Sequence, residues 1–162
     1  MDKKQRLHNN KVKQKIKSMP DTIEKAFKRA TSKLKKVGHN IDALPKSVAS
    51  FLMVYSAQGV IGNGGYYYFF EHDWPNDPPY SKFIDAYLEI GCSSQSNDLA
   101  RVVSTFPFDN PHLNKNARNK YMDENYDEKK YEVKDWGDAL CGDDEVWEKL
   151  KAYYLKNIDD FV

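Results

Sequence analysis

Apolar residues recur along this chain of 162 residues at helical rather than strand spacing. In DTIEKAFKRATSKLKKVG, residues 21–38, Ile23, Ala26, Phe27, Ala30, Leu34 and Val37 fall on one face and lysines line the other. Asp21 and Glu24 offer a capping box and Gly38 a stop. In LPKSVASFLMVYSAQGVIG, Pro45 suits a first helical position, and Val48, Phe51, Leu52 and Tyr55 predict a second, more deeply buried helix whose end Gly59 and Gly62 loosen. YSKFIDAYLEIG places Phe83, Ile84, Tyr87 and Leu88 on one face before Gly91, and SQSNDLARVVSTFP does the same with Leu99, Val102, Val103 and Phe106 before Pro107. These two are short helices able to pack antiparallel. A weaker stripe joins Leu113, Ala117 and Tyr121. Finally, DDEVWEKLKAYYLKNIDDF stacks Val146, Trp147, Leu150, Tyr153 and Tyr154 behind acidic residues suited to a positive helix terminus. No run alternates as a strand, and no repeat or heptad array is visible. The pattern predicts an all-α fold, a single compact domain of about six or seven helices over residues 21–162.

Residues 1–20 read differently. Leu7, Val12 and Ile16 are too sparse to bury by themselves and Pro20 ends the segment, so a basic, frayed or weakly helical arm is expected. Composition explains how the remainder closes a core. The hydrophobic share is only 40% and the mean hydropathy −0.80, but aromatics reach 14%, with 11 Tyr whose rings can be buried while their hydroxyls stay wet. Cys92 and Cys141 belong to no CxxC unit and form no disulfide framework, so both are read as ordinary thiols of a reducing cytoplasm. No stretch has the apolar length of a signal peptide core or of a membrane span of about 20 residues, and a soluble, cytoplasmic protein without membrane association is expected.

The net charge of +1 hides a division: residues 1–46 carry +10 and residues 47–162 carry −9. A basic arm serves nucleic acid or an acidic partner in many proteins, and an acidic face serves basic partners; either is also ordinary solvated surface.

The stretch NGGYYYFFEHDWPNDPP, residues 63–79, concentrates the candidate chemistry. Its Glu71-His72-Asp73 triplet is the tightest polar cluster, yet adjacent helical residues point apart and cannot face one metal, so a helix-end histidine beside a carboxylate is the better expectation. GNGG at residues 62–65 lacks the lysine, hydroxyl and preceding strand of a phosphate loop. Gly64 and Gly65 fit a joint between helices instead. On the helix that follows, Tyr66, Phe69 and Phe70 share a face expected to be core, while Tyr67 points elsewhere. A base-stacking role for the aromatics is disfavoured by the acidic neighbours Glu71, Asp73 and Asp77. With His8, His39, His72 and His112 scattered, no catalytic set, metal site or cofactor is expected.

The order VIGNGGYYYFFEHD, then FIDAYLEIG, then a helix ending at Phe106-Pro107 resembles a bacterial family of small helical proteins named for its DNA-mimic members. The pattern is an NGG[FY] step with paired aromatics, here Asn63, Gly64, Gly65, Tyr66, Phe69 and Phe70, a helix ending in Ile-Gly, and a helix ending near Phe-Pro. The similarity is strongest from Leu44 to Pro107, with a looser echo in YDEKKYE and the final helix, and residues 1–20 lie outside it. The resemblance implies an all-α fold, often dimeric, without catalytic residues or cofactor. It further implies a surface whose carboxylates stand in for duplex phosphates and occupy the DNA-binding face of another protein.

This chain departs from a phosphate rail in charge density. Residues 121–162 hold 13 acidic and 6 basic residues, net −7. Spread over a helical path of about 63 Å this is roughly one net charge per 9 Å, against about one per 1.7 Å in B-DNA. Two or three acidic elements, or a homodimer, would have to converge. The function expected first is therefore a non-catalytic interaction module engaging a basic surface, such as that of a DNA-binding protein or toxin, through Asp123, Glu124, Asp127, Glu128, Asp143, Asp144, Glu145 and Glu148. The alternative is nucleic-acid or acidic-partner binding through Lys3, Lys4, Arg6, Lys11, Lys13, Lys15 and Lys17.

Overall fold

Twenty-six residues of one helix organise everything else in the structure, a computed structural model that describes residues 23–128, 130, 132–137 and 143–162. The arm at residues 1–20, the cap at Asp21 and the thiol of Cys141 lie outside the described residues. Helix α1 (Ile23–Lys36) buries Ala26 and Ala30 and stacks the ring of Phe27 on Tyr55 at 4.2 Å. It ends where Gly38 and His39 both take positive φ, with the His39 amide returning to the Leu34 carbonyl at 2.9 Å. A 3-10 turn at Ile41–Ala43, capped by Asn40, leads into the central helix α2 (Lys46–Glu71), with Pro45 at the cap position one residue before the first helical one.

Helix α2 carries Val48, Phe51, Val54 and Ala57 with no exposed surface, packed against α1, α3 (Tyr80–Ile90) and α6 (Asp144–Lys156). The predicted joint is present as a kink inside this helix. Gly65 adopts φ 65° and ψ −161°, a region open essentially to glycine alone, and the chain resumes helical geometry at Tyr66. Gly59 and Gly62, expected to loosen the helix, lie inside it.

Helix α3 and helix α4 (Ser93–Val103) pack against each other about a tight turn at Gly91, which takes the left-handed conformation. The Cys92 amide bonds the Tyr87 carbonyl at 2.8 Å across that turn. Leu99, Val102 and Phe106 face inward as expected. Leu88 does not: it is 58% exposed, because Phe83, Ala86, Tyr87 and Ile90 supply the buried face of α3. After a 3-10 turn at Pro111–Leu113 comes helix α5 (Lys115–Glu124), where the expected stripe is also displaced. Leu113 is 67% exposed, and the buried residues are Met122 and Arg118.

A short antiparallel ladder joins β1 (Tyr126–Asp127) to β2 (Glu132–Val133), pairing Tyr126 with Val133 and Asp127 with Glu132. Two residues per strand are too few to show alternation in the sequence. The all-α class stands with this addition. Helix α6 buries Val146, Leu150 and Tyr154, and the 3-10 turn Ile158–Phe161 closes the chain against α1 and α2, with Phe161 edge-on to Phe51 at 5.3 Å.

The C-terminal end of α2 is finished by residues from elsewhere. A helix leaves its last carbonyls without intrahelical donors, and burial makes unpaired carbonyls costly. Here the His72 amide takes the Tyr68 carbonyl at 3.0 Å, and the Trp74 indole N–H takes that of Phe69 at 3.0 Å. Arg118 Nε–H donates to the Phe70 carbonyl at 2.5 Å, and its Nη1 to Pro111 at 2.7 Å. Arg118, only 3% exposed, thus sets a positive charge at the negative end of the helix dipole.

Candidate functional site

The eight carboxylates singled out from the sequence fall into two groups on separate elements. Asp123 and Glu124 close α5, Asp127 lies in β1 and Glu128 follows it, all beside the second half of α2. Asp143, Asp144, Glu145 and Glu148 occupy the start of α6, which packs on the first half of α2. Asp127 and Glu132 stand directly opposite each other in the ladder.

Their availability differs. Asp144 and Glu148 are exposed, as are Glu124, 3.7 Å from Lys120, and Glu145, which pairs with Lys149 one helical turn on. Both of those ion pairs are solvent-exposed and leave the carboxylates open to a partner. Asp143 is half-buried and serves the fold: it caps α6 by accepting the Glu145 amide at 3.0 Å and also accepts from the Gln95 side chain. Asp123 accepts the Tyr67 hydroxyl at 3.0 Å. Partial burial, followed by this carboxylate, pushes the Tyr67 hydroxyl up to about 12.

The motif residues divide between interior and surface. Tyr66, Phe69 and Phe70 are buried as expected, Phe70 meeting Tyr80, Phe106 and Trp136 at 4.9–5.1 Å. The Tyr66 hydroxyl donates to Asp98 at 2.7 Å, and Asp98 is also held by Arg101. Asn63 donates back to the Gly59 carbonyl at 2.7 Å. On the outer side, Tyr67, Tyr68 and Tyr126 border a groove of about 520 Å³ that begins at Asn63 and the two glycines and reaches Glu132. Sequence reasoning placed Tyr66, Phe69 and Phe70 in the core and Tyr67 off that face, but gave the outward side no role. Tyr67 and Tyr68 fall off the face shared by Tyr66, Phe69 and Phe70, and that was the available signal. Tyr126 and Glu132 carried none, since only the ladder brings them here.

His72 terminates α2 and packs edge-on against Trp74 at 4.5 Å, as expected of a helix-end histidine. Cys92 is fully buried, and burial pushes its thiol up to about 11. Among the described residues no three His, Cys, Asp or Glu side chains are placed to hold a metal ion, and no helix is long and apolar enough to cross a membrane.

A small all-α domain wound about one kinked central helix, with acidic groups on its last third and an aromatic step at the kink, defines the class. The chain belongs to the DMP19-like protein family, whose model matches residues 42–158. That match extends well past the Leu44–Pro107 stretch of strongest resemblance and takes in α5, the ladder and all of α6. Neither a curated protein nor a solved structure matches the chain.

Proposed function

We propose that the protein is a DNA-mimic-like interaction module that binds a basic surface of a DNA-binding protein through its exposed carboxylates. Family membership over residues 42–158 carries this proposal, and the exposed acidic positions Glu124, Glu128, Asp144, Glu145 and Glu148 supply its chemistry. A net charge of −9 over residues 47–162 favours encounter with cationic partners at low ionic strength. Because one acidic segment is too dilute to imitate a duplex, recognition needs both carboxylate groups of one protomer, or of two. The test is competitive capture. Purified DNA-binding proteins from the host should bind the immobilised chain, be displaced by duplex DNA, and be lost to an Asp144→Lys, Glu145→Lys, Glu148→Lys variant. Capture that survives both duplex and charge reversal counts against the proposal.

One observation favours a second role. Lys28, Lys33, Lys35 and Lys36 on α1 have no carboxylate within ion-pairing distance among the described residues, which leaves a basic strip for a polyanion. Retention of DNA or RNA that weakens steeply with salt and vanishes in a quadruple Lys→Ala variant would support it; no retention at low salt would end it.

A further inference from the structure

The groove beside the α2 kink has a floor and rim that the core does not require. Tyr68 is 51% exposed and Tyr126 38%, large rings left partly open to solvent on the same cleft. Their positions are fixed from beneath. Tyr126 meets Tyr67 edge-on at 5.4 Å, and the Tyr67 ring is held by its hydroxyl on Asp123. Tyr68 lies across Gly64 so closely that a Cβ there would stand 2.2 Å from its ring, so this glycine makes room for that ring. The family signature therefore both turns the helix and seats an exposed tyrosine.

Charge around the rings selects the occupant. Glu132 lines the groove, and Asp123 sits under Tyr67. Glu71 adds a further negative charge felt by Tyr67. Lys130 is the one cation among the described residues lining the cleft, and it is exposed. Phosphates and carboxylates would meet this excess of negative charge and are disfavoured. A guanidinium fits on three counts: it is planar and stacks on tyrosine faces, it is weakly hydrated, and its donors reach carboxylates at the rim while the stack is kept. A lysine ammonium can use the carboxylates but loses more hydration and has no face to stack.

We infer that the tyrosine groove at the α2 kink receives an arginine side chain of the basic protein partner. This rests on the proposed acidic-surface function and locates its specificity: the carboxylates draw cationic surfaces in general, and Tyr68 and Tyr126 prefer those that offer arginine.

The experiment uses two blocked probe peptides, GRGRGRG and GKGKGKG, titrated into the full-length protein at moderate salt. The arginine peptide should bind more tightly. Tyr68→Ala and Tyr126→Ala should each weaken it about two- to fivefold, and the double variant should erase the preference over lysine. Tyr68→Phe, which keeps the ring, should retain the preference. Circular dichroism confirms that these exposed substitutions leave the helices intact. Equal binding of both peptides by the unaltered protein, or an unchanged arginine preference in the double alanine variant, overturns the inference. The failures separate cleanly. Partner capture that survives loss of both tyrosines but not α6 charge reversal refutes the arginine groove and keeps the acidic-surface function, whereas capture indifferent to charge reversal refutes the latter.

Discussion

The two halves of α2 use the same helical geometry in different ways. Before the kink, residues 46–63 are apolar around most of the helix: Val48, Phe51, Leu52, Met53, Val54, Ala57 and Ile61 are all buried, with α1, α3 and α6 covering different sides. After it, residues 66–71 alternate sharply between Tyr66, Phe69 and Phe70 inside and Tyr67, Tyr68 and Glu71 towards solvent. The first half is a strut most of whose sides are claimed by the fold. The second leaves one side, with Tyr68 and Glu71, towards solvent. The difference teaches that a helix surrounded by neighbours has little freedom to evolve contacts, and that a change of axis releases one face.

Four tests probe this contrast, from the largest expected effect downwards. Phe70→Ala should destabilise by about 3–5 kcal/mol in urea unfolding, matching Phe51→Ala before the kink, because both rings are fully buried. A loss under about 1 kcal/mol would show that the second half is not core. Arg118→Met should cost about 1.5–3 kcal/mol by leaving the Phe70 and Pro111 carbonyls without this donor, and hydrogen exchange should quicken at the end of α2 before its start. Gly65→Ala should cost about 1–3 kcal/mol for its backbone geometry, whereas Gly59→Ala, with open space and an ordinary helical backbone, should gain about 0.4–1 kcal/mol. Opposite shifts in melting temperature for two glycines six positions apart would localise the kink. Finally, Asp123→Asn should lower the Tyr67 hydroxyl from about 12 without returning it to 10, since burial remains the larger cause. The folded value is raised, so the stabilisation is complete below pH 10 and fades as pH rises towards 12; ultraviolet titration of the Tyr67→Phe difference reads it directly.

Periodicity made much of this architecture legible. The helices, the glycine joint and the buried trio Tyr66, Phe69 and Phe70 all follow from local spacing. Spacing fails where burial is decided by neighbours. Leu88 and Leu113 share faces with apolar residues, yet among the described residues no element covers them. Arg118 looks like surface in sequence and is buried because its acceptors lie on α2 and the preceding turn, which no local pattern reveals. Of the acidic candidates, Asp143 proved to be a helix cap, a role that an Asp just before an amphipathic run permits on sight. The tyrosine groove was half visible, in Tyr67 and Tyr68, and otherwise depended on a ladder of two residue pairs.

The Arg118 contact also sets a schedule for synthesis. The guanidinium that satisfies the Phe70 carbonyl follows it by 48 residues. At about 5–20 residues per second, the ribosome makes the end of α2 some 2–10 s before its cation is available. During that interval the first half of α2 can already find α1, while the tyrosine step must wait, unsealed, for α5 to arrive. In the growing chain, the tyrosine step is therefore sealed only after α1, α3 and α4 have been made, and α6 arrives later still to cover the first half of α2.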